Sequence, residues 1–176
     1  TGVDMDIAKA IADEIGVELK VENVKFDTII SSVQSGKASM GAAGITVTDE
    51  RKESVDFSVS YTTSTQYVIL PVGTTFNNIT DLKGMSIGVQ LGTTGDFIIS
   101  DEINGYEDDD GNAVKGVLQD SGASVTTYNN ANLAAEALKS GKIQAVVVDK
   151  LPSQLIAQNS EGKLQAVELV YEDGSN

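Results

Sequence analysis

The chain has 176 residues, and its 12 basic and 26 acidic side chains give a formal net charge of −14. An acidic excess of this size argues against nucleic acids or anionic membranes as partners, because both require a basic surface. The chain contains no Cys and no His, which excludes thiol nucleophiles, disulfides, His general bases and the zinc or haem sites built on them. Hydrophobic residues make up 40% of the chain, which is enough to build a folded core.

The first periodic segment predicts an amphipathic helix over residues 4–15. Ile7, Ile11 and Ile15 recur every four residues and form one apolar stripe. We expect Asp4 to cap the start of this helix and Gly16 to end it in a left-handed conformation.

The next segments predict further elements in alternation. Residues 17–21 alternate apolar and polar side chains, as a strand does, and residues 27–33 predict a second helix closed by Gly36. Residues 38–43 are small and apolar and indicate a buried strand. This order of helix and strand predicts a mainly parallel sheet with helical layers.

The second half of the chain again alternates strands and helices. Residues 62–72 are β-prone, polar at first and apolar later, which suits a strand that crosses from one lobe to another. A short helical turn is predicted at 81–84. The remaining predicted strands are 85–89, 125–128, 143–148 and 164–171, and the predicted helices are 94–103, 132–139 and 151–158.

An acidic segment, residues 101–120, contains seven acids and one base, Lys115, and so contributes −6 to the net charge. A calcium-binding EF-hand loop needs a Glu six residues after its Gly, whereas Val117 stands six residues after Gly111. We therefore predict a solvated, mobile surface loop here.

Three predicted strands end in residues that suit a charged ligand. Gly44, Thr46 and Arg51 follow the strand at 38–43, residues 92–95 (Gly-Thr-Thr-Gly) follow the strand at 85–89, and Asp149 follows the strand at 143–148. In open α/β sheets, ligands bind beyond the carboxyl ends of the strands.

These residues offer two groups for an anion and one for a cation. A guanidinium such as that of Arg51 and a helix N-terminus both bind carboxylates, and Asp149 would bind an ammonium. An amino-acid zwitterion presents this combination of charges. Ordinary structural roles also fit: a surface position for Arg51, a common turn for residues 92–95 and a helix cap for Asp149.

Several segments resemble a known family. Residues 2–7, 43–51 and 55–58, supported by 81–84, 88–94 and 145–149, are similar to the polar amino-acid solute-binding proteins of bacterial ABC importers, family 3. The resemblance implies an α/β, two-lobed periplasmic-binding-protein-like fold (type II) whose first lobe is incomplete.

The resemblance also implies a division of the chain. Residues 1–63 would form part of the first lobe, lacking an N-terminal strand and a C-terminal return. Residues 64–171 would form the second lobe, and residues 61–65 and 172–176 the hinge crossovers between them.

The ligand-binding residues implied by the resemblance are Phe26, Gly44, Ile45, Thr46, Arg51, Gln90, Thr93, Thr94 and Asp149. Arg51 and Thr46 would hold the ligand carboxylate, which the Thr94 N–H would also bind. Asp149 and the Gly44 carbonyl would hold the ammonium.

The remaining site residues would select the ligand side chain. Phe26 matches an aromatic position that packs on that side chain, and Gln90 and Leu91 fall where selective contacts are made.

The function implied is an extracytoplasmic amino-acid-binding receptor of an ABC importer, periplasmic or lipid-anchored on the outer face of the cell membrane. Its partners would be a free polar or charged L-amino acid and the permease subunits, with no cofactor, no metal and no nucleic acid, and the complete protein would be a monomer. Two alternatives stay open. One is a ligand-sensing domain of a receptor, and the other is a cyclohexadienyl or arogenate dehydratase-like enzyme with Asp149 or a Glu as its acid or base.

Overall fold

The structure, a computed structural model, describes residues 2–108 and 110–176. The chain divides into two compact units, residues 1–60 (unit 1) and residues 61–176 (unit 2).

Unit 1 consists of helices and irregular segments. Helix α1 spans Val3–Ile15 and buries Ala8 and Ala12. Gly16 ends it in the predicted left-handed conformation, with φ 71° and ψ 35°. The predicted cap at Asp4 is wrong, because Gly2 occupies the N-cap position and the Asp4 carboxylate accepts a hydrogen bond from Gly44 instead.

The second predicted helix of unit 1 is confirmed. A 3-10 turn over Phe26–Thr28 leads into α2, Ile29–Gln34, and a short helix, α3, follows at Asp49–Lys52.

The two strands predicted in unit 1 are wrong: residues 17–21 and 38–43 are irregular, and among residues 2–60 the structure has no strand. A strand requires a neighbour to accept and donate its backbone hydrogen bonds. Val17, Leu19 and Val21 remain exposed, as does Met40, so the apolar pattern here does not mark a buried ladder.

Unit 2 is built on a five-stranded sheet in the order β5-β2-β6-β1-β7. The sheet strands are β1 (Gln66–Pro71), β2 (Ser86–Gln90), β5 (Ser124–Tyr128), β6 (Ala145–Asp149) and β7 (Leu164–Glu168). Strand β2 pairs parallel with β5 and β6, whereas β1 pairs antiparallel with β6 and β7. The sheet is therefore mixed, and β1 accounts for its antiparallel part.

The helices predicted in unit 2 are confirmed within one or two residues of their ends. They are α4 (Thr94–Asn104), α5 (Ala131–Lys139) and α6 (Lys150–Gln158), with a 3-10 turn at Ile79–Leu82. Strand β1 begins only at Gln66, so the polar first half of the predicted strand, residues 62–65, lies outside it.

Alternating side chains of the strands pack into two apolar cores, one on each face of the sheet. On one face Val68 and Val147 pack with Ile99 of α4; on the other, Ile69 and Val146 pack with the Ala and Leu side chains of α5. Full burial of such a side chain is worth roughly 1.5–3 kcal/mol. These cores fix the ends of β2 and β6, where the candidate residues of unit 2 lie.

The acidic segment is more ordered than predicted. It begins inside α4, and two short strands, β3 (Tyr106–Glu107) and β4 (Ala113–Val114), pair as a hairpin. Leu118 lies in the core and Glu102 is 7% exposed, so the prediction of a solvated loop is wrong for these two residues. The hairpin residues Glu107, Asp108 and Asp110 are exposed, and Asp109 lies outside the described residues.

Candidate functional site

Arg51 is the central residue of the candidate site in unit 1. The Thr48 hydroxyl caps α3 by accepting a hydrogen bond from the Arg51 N–H at 3.2 Å. Arg51 is 6% exposed, and its Nη1 donates to the Thr46 carbonyl at 2.7 Å. The structural alternative in which Arg51 is a surface residue is therefore wrong. A buried guanidinium held by a backbone carbonyl is a preorganised positive charge.

Phe26 and Arg51 are brought together. The Arg51 Cζ atom lies 5.9 Å from the centroid of the Phe26 ring, within the range of a cation–π contact. Phe26 begins the 3-10 turn before α2 and is half-buried. The aromatic residue and the cation thus form one cluster within unit 1.

The loop that carries Gly44, Ile45 and Thr46 is tied to the first turn of α1. Gly44 has φ 57°, a left-handed conformation that favours glycine, and its N–H donates to Asp4 Oδ2 at 2.6 Å. Ile45 is half-buried and Thr46 is exposed. Sequence reasoning missed the role of Asp4, because an acid in the first turn of a helix looks like a cap or a dipole partner.

In unit 2 the candidate residues lie where β2 meets α4. Gln90 is the last residue of β2, and the Thr93 hydroxyl donates to its carbonyl at 2.8 Å. The same hydroxyl accepts from the Asp96 N–H at 3.4 Å, so Thr93, which is 6% exposed, is the N-cap of α4. Thr94 follows as the first helical residue, and its N–H belongs to the first turn, whose donors lack partners within the helix.

The Asp96 side chain, in the first turn of α4, accepts hydrogen bonds on both sides of this turn. Its Oδ2 accepts from the Gly92 N–H at 2.9 Å, and its Oδ1 accepts from the Ser100 hydroxyl at 3.3 Å. A carboxylate in the first turn also complements the helix dipole. The turn at 92–95 is thus a rigid N-terminal turn.

The Gln90 side chain contacts a second helix. Its Oε1 accepts from the Ala131 N–H at 3.2 Å and so satisfies a donor at the start of α5. The predicted role of Gln90 in selecting the ligand side chain stays a prediction.

Asp149 is the last residue of β6, and its Oδ1 accepts from Gln66 Nε2 at 3.0 Å. Asp149 also occupies the N-cap position of α6, but its side chain makes no capping hydrogen bond to α6, whose residues are all described. The alternative that Asp149 serves as a helix cap is therefore wrong. A carboxylate placed at the end of a buried strand and held by an amide is available to bind a cation.

The structure brings the candidates of unit 2 to one edge of the sheet. Val89 and Val147 are register partners in the parallel pair of β2 and β6, so Gln90 and Asp149 end neighbouring strands. Thr93 and Thr94 continue from Gln90. The candidates of unit 1 form their own cluster around Arg51.

Gln66 is a second residue of the candidate site that sequence reasoning missed. It contacts the Asp149 carboxylate from β1, 83 residues away in the chain. The one signal in the sequence is a polar residue at the start of an apolar run, which does not indicate a partner.

Within 2–108 and 110–176, no cluster of three or more Asp or Glu side chains is arranged to hold a metal ion. In that part of the chain, no helix has the length and apolar character needed to span a membrane.

The sequence matches the family model of the bacterial extracellular solute-binding proteins, family 3, over residues 1–168. It is 34% identical over 163 residues to a probable histidine-binding protein of Campylobacter jejuni, covering 92% of this chain and 57% of that protein. It is 32% identical over 151 residues to an L-arginine-binding protein of Pseudomonas aeruginosa, covering 85% of this chain and 52% of that protein. The chain thus spans about half the length of these relatives.

The fold resembles solved amino-acid-binding proteins. An ancestral arginine-binding protein bound to arginine is 35% identical with a TM-score of 0.81, covering 95% of this chain and 68% of that one. The chain is 29% identical to an amino acid ABC transporter substrate-binding protein of Streptococcus pneumoniae bound to L-arginine, with a TM-score of 0.83. The match covers 98% of this chain and 66% of that one. These similarities confirm the predicted α/β fold of the type II periplasmic binding proteins. The chain belongs to the bacterial extracellular solute-binding proteins, family 3.

Proposed function

We propose that this chain is the ligand-binding part of an amino-acid receptor that serves an ABC importer. The observation that carries the proposal is that each unit holds one preorganised charge: the buried guanidinium of Arg51 in unit 1 and the anchored carboxylate of Asp149 in unit 2. An L-α-amino acid supplies the complementary carboxylate and ammonium. Every relative named above is a binding protein, which supports a receptor over the enzyme alternative.

Unit 1 offers Arg51 and Thr46 to the carboxylate of the ligand and the Gly44 carbonyl to its ammonium. Unit 2 offers the N–H of Thr94 to a carboxylate and Asp149 to an ammonium. Charge-assisted hydrogen bonds of this kind are about twice as strong as neutral ones, which suits a receptor that must retain a small solute.

The ligand is a polar or charged L-amino acid. The relatives bind, by their names, histidine or arginine, and another is an L-cystine-binding protein of Escherichia coli. The Phe26 ring supplies apolar surface beside Arg51, and long polar side chains pack their methylene groups on such surfaces. L-Arginine is therefore the first ligand to test.

The protein acts outside the cytoplasm, in the periplasm or anchored by lipid to the outer face of the membrane. Its partners are the membrane subunits of the importer, which read the ligand-bound form. The family to which the chain belongs is named for extracellular solute binding, which supports this location.

The decisive experiment is a binding screen on the natural protein that carries this sequence. Thermal melting and calorimetry are recorded with the twenty L-amino acids and L-cystine. A ligand at 100 times its Kd is expected to add about 2.7 kcal/mol to the free energy of unfolding, which raises Tm by several degrees. D-Arginine is the control for stereochemistry.

Absence of a Tm shift and of heat with every one of these ligands would overturn the proposal. Turnover of prephenate or arogenate by the same preparation would also overturn it, because it would assign the site to catalysis.

A further inference from the structure

Gln66 is buried beside the proposed ammonium-binding carboxylate. It is 9% exposed and opposes Asp149 in the antiparallel register of β1 and β6. Its Nε2 donates to Asp149 Oδ1 at 3.0 Å. Its backbone carbonyl accepts from the Leu169 N–H at 2.9 Å, so β1 is held on its other side by the segment that follows β7.

The carbonyl oxygen of the same amide accepts no hydrogen bond from the described residues. This oxygen, Gln66 Oε1, is buried. A buried carbonyl without a donor lowers the stability of the fold, so its retention calls for a reason.

Asp149 supplies that reason. Turning the amide over would place Oε1, an acceptor, against the carboxylate, which is also an acceptor. The observed orientation gives Asp149 a donor and leaves the unsatisfied oxygen facing α4. There the position that a Cβ of Gly95 would occupy is 2.8 Å from Oε1 and 3.2 Å from the Val147 carbonyl.

Gly95 therefore allows α4 to pack directly over the Gln66 amide. Because residue 95 has no side chain, the amide is confined between the first turn of α4 and the end of β6. A confined amide can hold its neighbour in one rotamer, whereas an exposed one would exchange with water.

We propose that Gln66 is a positioning residue of the amino-acid site: it fixes the Asp149 carboxylate through Oδ1 and presents Oδ2 to the ligand ammonium. This inference rests on the function proposed above. It adds that the unsatisfied Gln66 Oε1 lowers the stability of the sheet, while the same amide holds the Asp149 carboxylate in one geometry.

The test is Gln66→Met, which keeps the length and volume of the side chain but removes both polar ends of the amide. Affinity is measured by calorimetry for L-arginine and for 5-guanidinopentanoic acid, which is arginine without its α-ammonium. We expect about tenfold weaker binding of L-arginine and less than about twofold change for the analogue, because the lost hydrogen bond acts through Asp149.

Two further measurements separate positioning from a general effect on the fold. The Tm of the ligand-free variant is expected to equal or exceed that of the wild type, because the unsatisfied oxygen is gone. In the background of Asp149→Asn, Gln66→Met is expected to have no further effect on L-arginine affinity, since the two residues act as one unit. This cycle decides the question if the analogue binds too weakly to measure.

Gln165→Met is the matched control. Gln165 lies on β7 of the same sheet and donates its Nε2 to the Thr74 carbonyl at 2.6 Å, away from Asp149. The control is expected to leave both affinities unchanged. Gln66→Leu repeats the test if Gln66→Met fails to fold.

Equal losses of affinity for L-arginine and the analogue, no loss for either, or additive effects with Asp149→Asn would each overturn the inference while leaving the proposed function intact. Failure of the wild-type protein to bind any L-amino acid would overturn the proposed function and this inference with it.

Discussion

The Tyr171 hydroxyl donates to Glu102 Oε1 at 2.7 Å, and this bond connects the segment after β7 to helix α4. The other carboxylate oxygen of Glu102 accepts from the Val117 N–H at 2.6 Å. Burial raises the pKa of Tyr171 above its ordinary value, and the hydrogen bond to Glu102 makes a further, smaller contribution in the same direction. The buried acid thus joins three parts of unit 2 and stabilises the acidic segment against the core.

Tyr171→Phe is expected to lower the free energy of unfolding by about 1–2 kcal/mol, because it removes a donor from a buried carboxylate. Urea denaturation followed by circular dichroism measures the change. Tyr106→Phe is the control, since Tyr106 is exposed on β3, and it should be neutral. Equal stability of the two variants would contradict the role given to the Tyr171–Glu102 bond.

The raised pKa of Tyr171 also predicts a dependence of stability on pH in the alkaline range. The unfolded chain loses its Tyr171 proton near pH 10, whereas the folded chain retains it to higher pH. The unfolded state then binds fewer protons, so stability falls as pH rises above about 10.

Urea denaturation of the wild type and of Tyr171→Phe across pH 8–11 measures how much Tyr171 contributes to the loss of unfolding free energy. Tyr171→Phe should show a shallower alkaline loss of stability than the wild type. Parallel pH profiles would contradict the assignment.

Arg51→Lys is expected to weaken amino-acid binding by about thirtyfold, or about 2 kcal/mol, because an ammonium cannot reproduce the planar fork of donors that a carboxylate accepts. Calorimetry with L-arginine measures the effect. The control is Lys52→Met, which removes a neighbouring exposed cation whose Nζ pairs with Asp49 at 2.9 Å. If both variants bind as the wild type does, Arg51 is not the carboxylate ligand.

Gly95→Ala is expected to destabilise unit 2 by about 1–3 kcal/mol, as overpacking of a filled interior does. The new Cβ would meet Gln66 Oε1 at 2.8 Å and the Val147 carbonyl at 3.2 Å. Thermal melting measures the loss. In the background of Gln66→Ala the same change should cost less, because the closest of these atoms is gone. An unchanged cost would show that the backbone carbonyl is the obstacle.

Local pattern predicted most of unit 2. The helices at 94–103, 132–139 and 151–158 and the strands at 85–89, 125–128 and 143–148 were placed correctly, because their periodicity or apolar run matches the burial that they have in the fold. In unit 1 the same reasoning predicted the helices but also strands at 17–21 and 38–43 that do not form. Apolar alternation indicates a strand only where a neighbouring strand is present to pair with it.

The candidate site divides in the same way. Motif and residue type selected Arg51 and Asp149 as candidates for the two charges of a zwitterion, and that assignment stays a prediction. The partners of these residues could not be predicted: the Thr46 carbonyl and the Phe26 ring for Arg51, and Gln66 for Asp149. These partners set the geometry of the charges, which residue type alone does not contain.

Sequence features predict local structure but not these partners because they act over different distances along the chain. Helix periodicity, caps and turn glycines are properties of a few consecutive residues, so the chain carries them locally. The bonds from Gln66 to Asp149 and from Tyr171 to Glu102 join residues 83 and 69 positions apart. The first bond exists because β1 pairs with β6 in one particular register, and the second because α4 and the segment after β7 pack against the same core. Strand order, register and helix packing are decided by the whole of unit 2.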